Sequence, residues 1–250
     1  MALRRGRKGG RGHDGNAGMI LGVIQARMSS SRLPGKVLAP VLDTPMIGRQ
    51  VERLRRSRRL DALVLATSRE ASDDPLADYC ASLGLGVVRG PLEDVLARFA
   101  LALDAFPQAT TLVRLTADCP LTDWRVLDAM VDHHLAAGAD YTNNTLPQRT
   151  FPHGLDVEAA QVAAFRAAVA EATDPYDREH VTPFLYRNPQ RFRVEGLTRT
   201  PSLAHLRWTV DYPEDLEFVR HVYAALYAAD PDFGTGAIAA LDWNSSKAPV

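Results

Sequence analysis

Residues 19–24 form an apolar run, Met19-Ile20-Leu21-Gly22-Val23-Ile24, without polar alternation, the pattern of a strand covered on both faces. Apolar positions at helical spacing follow over residues 46–60, with arginines on the outer face. The cycle then repeats. Residues 62–67 read as a strand, 73–83 as a helix entered through Asp73-Asp74-Pro75, 85–88 as a short strand and 91–105 as a helix. Residues 110–116 make a further strand and 123–137 a further helix. Strands alternating with helices predict a mostly parallel sheet covered on both faces, an α/β three-layer open sandwich of Rossmann-like type. In such a sheet ligands gather at the carboxyl ends of the strands, so residues just past each strand carry the most chemical interest.

After Gly138 the rhythm changes. Short strands at 140–144, 155–158 and 191–195 interleave with helices near 162–172 and 178–186, which predicts a small α+β distal subregion. Residues 206–210 (LRWTV) read as a returning strand, and 213–229 as a long amphipathic helix opened by Asp211, Pro213, Glu214 and Asp215, charges that suit a helix start. The expected organisation is a disordered basic leader over 1–18 and one continuous domain over 19–250. That domain is expected to divide into an alternating α/β part at about 19–138, the distal part at 139–205, and the returning strand and helix at 206–230.

Composition narrows the classes. The 250 residues carry a net charge of -1, so there is no global attraction for nucleic acid, and any basic function is local. No apolar stretch approaches the roughly 18 to 20 residues needed to span a bilayer, so no membrane partner is expected. The leader has Arg4, Arg5, Arg7, Lys8 and Arg11 but no apolar segment behind them, unlike a secretory signal. Cys80 and Cys119 lie far apart without a CxxC pattern, which argues against a disulfide framework or structural zinc and for a reducing, cytoplasmic location.

Directly after the first strand comes QARMSSSRLPGKVL, residues 25–38. A serine- and glycine-containing loop between a strand and a helix can turn backbone N–H groups inward and bind phosphate, and Arg27, Arg32 and Lys36 add cations to it. It is not a Walker A loop, since Ser30 stands where the first glycine belongs and Val37 replaces the magnesium-binding hydroxyl. The GxGxxG pattern is absent as well. An ordinary polar loop remains the alternative.

The loop resembles the first motif of the cytidylyltransferases that activate acidic sugars, the CMP-Kdo and CMP-sialic acid (acylneuraminate) synthetases, which reads approximately ARxxSxRLPGK. Ala26, Arg27, Ser30, Arg32, Leu33, Pro34, Gly35 and Lys36 match it. The chain is more similar still to the spore-coat polysaccharide (SpsF-type) branch. That likeness is carried in order by "DDPLADYC", "VVRGPLEDVLARF", "VRLTADCPL", "FPHGLDVE", "REHVTPF" and "LRWTVDYPEDLEFV". The resemblance implies a nucleotide-diphospho-sugar transferase-like fold and attack of a sugar hydroxyl on the α-phosphate of CTP, with pyrophosphate released.

Asp118 and Asp211 end two of the predicted strands, and hard carboxylates so placed suit magnesium. Both also fit as caps, Asp118 before Cys119-Pro120 and Asp211 before the last long helix. In the family the matching aspartates hold the catalytic Mg2+, and the resemblance implies that Arg27 and Lys36 hold the triphosphate with Arg32 in support. It also places recognition of the CTP base near Gln25, Ala26, Thr67, Arg89 and Gly90, and a homodimer contact in the distal half. Polar candidates for the sugar are Asn143, Asn144, His153, Asp156, Glu158, Arg178, Glu179 and His180, with Arg178 or His153 as the cation for a substrate carboxylate. Two rivals stay open: a glycosyltransferase using a nucleotide-sugar donor, and a non-catalytic nucleotide-binding protein of this fold. The adjacent acids Asp73-Asp74 precede a helix and read as its cap rather than as a donor-binding motif.

Overall fold

The computed structural model describes residues 18–241, so the leader read over 1–18 lies, Gly18 apart, outside the described residues. The chain runs through β1 (Met19–Gln25), a 3-10 turn at Lys36–Leu38, a small hairpin of β2 (Pro40–Val41) and β3 (Thr44–Pro45), α1 (Met46–Leu54), β4 (Ala62–Ser68) and α2 (Asp74–Ser82). It continues with β5 (Gly86–Gly90), α3 (Val95–Ala105), β6 (Ala109–Thr116), α4 (Trp124–Ala137), β7 (Tyr141–Asn143) and β8 (Glu158–Gln161). The last elements are α5 (Val162–Glu171), α6 (Pro175–His180), α7 (Pro183–Tyr186), β9 (Val194–Gly196), α8 (Pro213–Leu226) and α9 (Thr235–Ala239).

Seven strands form one sheet in the order β5-β4-β1-β6-β8-β7-β9, so the distal strands extend the first sheet. Strands β5, β4, β1 and β6 are parallel neighbours, and β8 runs antiparallel to both β6 and β7. The unbroken apolar run of β1 has its reason here. Ile20 and Ile24 face a core shared with α1, α4 and α8, while Leu21 and Val23 face a second core shared with α3 and α5. A strand of period two that is covered on both sides needs apolar residues at every position.

Several predicted boundaries move: the strands expected at 155–158 and 191–195 lie at Glu158–Gln161 and Val194–Gly196, the helix expected over 213–229 ends at Leu226, and three further shifts have a local reason. Helix α1 stops at Leu54 because the Ser57 hydroxyl accepts the N–H groups of Arg59 and Leu60, both at 3.2 Å, and draws the chain into a turn. Helix α3 begins at Val95, where the Asp94 carboxylate accepts the N–H of Ala97 at 2.9 Å. The helix expected over 178–186 is two helices. Val181 takes φ 77° between them, and Pro183, which has no N–H to extend the first ladder, starts the second.

A larger correction concerns residues 206–210, which do not form a sheet strand. Both edges of β6 are taken by β1 and β8, so the segment lies across the carboxyl end of the sheet. It is pinned there by backbone hydrogen bonds: His153 N–H to Leu206 O at 3.0 Å, Trp208 N–H to His153 O at 2.6 Å, and Val210 N–H to Asp118 O at 2.8 Å. Gly154 makes this crossing possible. Its φ is 99°, and a Cβ there would lie 2.6 Å from the Trp208 carbonyl carbon. Gly154→Ala is therefore expected to lower stability by about 1–3 kcal/mol, read as a shifted urea midpoint; an unchanged midpoint would contradict the close approach.

Candidate active site

A cleft of about 340 Å3 opens at the carboxyl ends of β1 and β6, with Gln25, Arg27, Arg32, Lys36, Asp118 and Asp211 among its lining residues. The loop after β1 is closed on itself: the N–H of Gly35, at φ 73°, donates to Met28 O at 2.9 Å. It is tied to β4 by Asp73. One oxygen of that carboxylate accepts the Met28 N–H at 2.7 Å, and the other accepts the Thr67 hydroxyl at 3.0 Å and the Ser68 N–H and hydroxyl. Burial alone would raise the Asp73 pKa, but these donors outweigh it and hold the group below its ordinary value. Asp73 thus anchors the loop; it makes no side-chain bond to the start of α2, which corrects the helix-cap reading.

Asp211 stands just before α8. Asp215 accepts the N–H groups of Asp211 and Tyr212 at 2.8 and 2.9 Å, so capping falls to Asp215 and the Asp211 carboxylate is left for the cleft. It meets Arg32 at 2.6 Å, Arg207 at 2.6 Å and Lys36 at 3.4 Å. Burial opposes its ionisation, but the Arg207 hydrogen bond and the Lys36 and Arg32 charges together keep its pKa below the usual range. Asp118 is brought to the same cleft by the Val210 bond to its carbonyl. Its neighbour Cys119 is buried, and burial, with the Asp118 charge, pushes that thiol well above its ordinary pKa.

Helix α1 braces this edge from beneath. Gln50 Nε2 donates to Thr116 O at 2.8 Å, and Arg53 donates to Thr122 O at 2.8 Å and Phe233 O at 2.9 Å. The spacing predicts an arginine-rich outer face for this helix, yet Arg49 and Arg53 are buried. Their heads are satisfied by carbonyls and, for Arg49, by Asp43 and Glu52, which makes burial tolerable.

Of the sequence-derived base and sugar candidates, Gln25, Ala26 and His180 also line the cleft, together with Glu179. The others are held elsewhere. Thr67 is buried on Asp73, and Arg89 is spent on Ser68 O, Glu70 O and Asp74. Gly90 is packed under the Arg98 side chain, where a Cβ would lie 2.6 Å from Arg98 Cγ. Asn143 Oδ1 caps the turn at Thr145 and Leu146, and Asn144 clamps Leu155 O and the Val157 N–H. Asp156 pairs with Arg149, and Glu158 pairs with Arg114 and accepts the Tyr141 hydroxyl, while Arg114 in turn donates to Gln25 Oε1 at 3.0 Å. Arg178 is a strut between helices, bonded to Asp94 at 2.6 Å and to Ala172 O at 2.9 Å. His153 is exposed; burial of part of its ring, then the Arg149 and Arg207 charges, lower its pKa.

Arg98 gives no signal in the sequence, Asp73 reads there only as a helix cap, and Arg207 only as a strand-face residue packing beside the site. Arg207 lies four residues before Asp211, a spacing that signals nothing in a strand but brings the two together in the crossing segment. Among the described residues no group of three or more His, Cys, Asp or Glu gathers as a metal site. The Asp118 and Asp211 pair still fits an ion that takes one or two carboxylates and completes its shell with phosphate and water.

The Asp73 anchor has a pH signature. A carboxylate whose folded pKa lies below its unfolded value, near 3.8, stabilises the fold above that value, and the contribution disappears as pH falls through the lowered folded one. Asp73→Asn is expected to cost about 1–3 kcal/mol at neutral pH. It is also expected to flatten the loss of stability below about pH 4. Denaturant titrations of both proteins across pH 3–7 check this, and parallel pH curves would remove Asp73 from the role.

A family model for cytidylyltransferases matches residues 21–224. The spore coat polysaccharide biosynthesis protein SpsF of Bacillus subtilis (strain 168) is 36% identical over 215 residues, covering 82% of this chain and 86% of that protein. A cytidylyltransferase from Leptospira borgpetersenii superposes with a TM-score of 0.85 at 30% identity, covering 94% of this chain and 99% of that one. A CMP:2-keto-3-deoxy-manno-octonic acid synthetase complexed with CTP shares the fold, with a TM-score of 0.62 at 18% identity, covering 82% of this chain and 98% of that one. With a mostly parallel sheet, a cationic loop after its first strand and a match running through most of its length, the chain belongs to the cytidylyltransferase family, enzymes that transfer CMP from CTP.

Proposed function

We propose that this protein transfers CMP from CTP to a hydroxyl of an acidic keto sugar, releasing pyrophosphate, with Mg2+ as its metal, in the synthesis of a polysaccharide or glycoconjugate. The observation that carries the reading is the convergence of Arg27, Arg32 and Lys36 with Asp118 and Asp211 in one cleft, from segments nearly two hundred residues apart in the chain. Phosphoryl transfer rests on positioning and charge neutralisation, and the cleft supplies both.

Arg27, Arg32 and Lys36 bind the triphosphate through charge-assisted hydrogen bonds. Arg32 and Lys36 rest on Asp211 in this structure, so phosphate oxygens compete for both cations and free the carboxylate. Asp118 and Asp211 are the residues that would hold the magnesium. When bound, the ion neutralises charge developing on the phosphate oxygens and helps the incoming hydroxyl act as a nucleophile. Gln25 lines the cleft with its Oε1 engaged by Arg114, which leaves the amide NH2 as the group it can offer a ligand. The acceptor's carboxylate is assigned to His153, whose ring is exposed, since Arg178 is committed to Asp94. Kinship with the spore coat protein supports the polysaccharide setting, and likeness in sequence to 3-deoxy-manno-octulosonate cytidylyltransferases supports the choice of acceptor. The two buried free cysteines fit a cytoplasmic setting, and association as a homodimer, tested by light scattering, belongs to the same reading.

The test is a pyrophosphate-release assay with CTP across a panel of keto-acid and other sugars, with magnesium supplied and withheld. Release that needs both the sugar acid and the metal is expected. Asp118→Ala and Asp211→Ala are expected to lower kcat by about a hundredfold or more while the fold persists. Full activity in both variants would remove the metal assignment. Release of a nucleoside diphosphate from a sugar nucleotide, with no pyrophosphate from CTP, would replace the reading by glycosyl transfer.

A further inference from the structure

Arg98 differs from the other buried arginines of this protein. Arg53, 3% exposed, donates to the carbonyls of Leu121, Thr122 and Phe233. Arg49, 4% exposed, has a carbonyl and two carboxylates. Arg98 is 2% exposed, yet its Nε–H has no hydrogen-bond partner among the described residues, and Nη2 makes one long bond to Leu92 O at 3.3 Å. Leaving a donor of a buried cation unmade costs on the order of 1–3 kcal/mol or more.

The nearby acids do not relieve it. Both Asp73 oxygens are taken by Met28, Thr67 and Ser68, and Asp94 is taken by Ala97 and Arg178. The chain nonetheless makes room for this side chain, since only a glycine at position 90 leaves space for the Arg98 stem. Arg98 lines the cleft, and so does Val95, one helical turn earlier on the same face of α3. Burial, then the Arg27 charge, lower its pKa, as expected of a guanidinium that lacks an acceptor.

Position tells which part of a ligand it meets. The Arg98 stem packs against Gly90 at the carboxyl end of β5, three strands along the sheet from β6, the strand that Asp118 follows. Arg98 therefore sits at the end of the cleft away from the paired aspartates, with an apolar valine beside it. We propose that Arg98 is a nucleotide-binding residue that donates from the cleft floor to the nucleoside part of CTP, with the cytosine ring against Val95. Cytosine offers two adjacent acceptors, O2 and N3, to a guanidinium, whereas uracil carries a proton on N3, so the same contact favours CTP over UTP. The proposal rests on the cytidylyl-transfer reading and adds to it the residue that reads the nucleoside.

The test is calorimetric titration of the full chain with CTP, UTP, CMP and pyrophosphate, in wild type and in Arg98→Met. Binding of CTP and CMP is expected to weaken by the same factor, about tenfold or more, with pyrophosphate affinity unchanged and the CTP-over-UTP ratio narrowed. The unfolding midpoint of the ligand-free variant is expected to hold or rise, because an apolar side chain replaces an unsatisfied buried charge. Should Arg98→Met fold too poorly to titrate, Arg98→Lys keeps the charge and gives the same readout. Unchanged CTP and CMP binding overturns the proposal. So does weakened CTP and pyrophosphate binding with CMP intact, which puts Arg98 on the phosphates. Wild-type protein that binds no CTP overturns the functional reading itself, an outcome distinct from either.

Discussion

The hydrogen bond from the Val210 N–H to the Asp118 carbonyl is the join on which the cleft depends. It fastens a segment late in the chain across the carboxyl edge of a sheet built almost entirely from earlier residues. The cause is topological: β1 and β8 already occupy both sides of β6, so an extended segment arriving afterwards finds backbone partners only beyond the strand ends. One bond of this kind contributes about 1 kcal/mol. Its effect is geometric, because it brings Asp211 into the same cleft as Asp118 and against the loop that carries Arg27, Arg32 and Lys36.

Around that join the protein uses charge in two ways. Some ionised groups are saturated and act as masonry: Arg53 beneath the Asp118 loop, Arg178 between α6 and α3, and Asp73 under the cationic loop. Each fixes a backbone segment by satisfying N–H or C=O groups that have no ladder partner. Others are held in exchangeable pairs or left short of partners. Asp211 shares three cations, two of which belong to the loop after β1, and Arg98 keeps an unmet donor at the cleft floor. Desolvated charges with partners that a ligand can displace are the means by which a preorganised site converts binding into positioning.

Much of this was legible from the residues. The doubly covered β1 could be read from its unbroken apolar run, and the place of the cationic loop and of the two aspartates at one sheet edge from their position after apolar segments. The distal polar residues could not be sorted. Asn143, Asn144, Asp156, Glu158 and Arg178 have the composition of a sugar site, but they are spent on turns, ion pairs and a helix strut. A polar side chain announces its hydrogen-bonding capacity in the sequence and not the partner that will use it. Arg98 was hidden for the converse reason, lying among apolar residues of an ordinary amphipathic helix and facing inward.

Apolar periodicity and contiguous motifs are local properties, so the α/β layering, the cationic character of the loop after β1 and the family to which the chain belongs could be read along the chain. Tertiary structure alone decided that residues 206–210 cross the sheet edge instead of joining it, that Asp73 holds the loop, and which arginines are satisfied and which are not. Those outcomes depend on which strand edges are already occupied and which donors meet which acceptors across long separations. That competition for partners is settled only when the whole chain has folded.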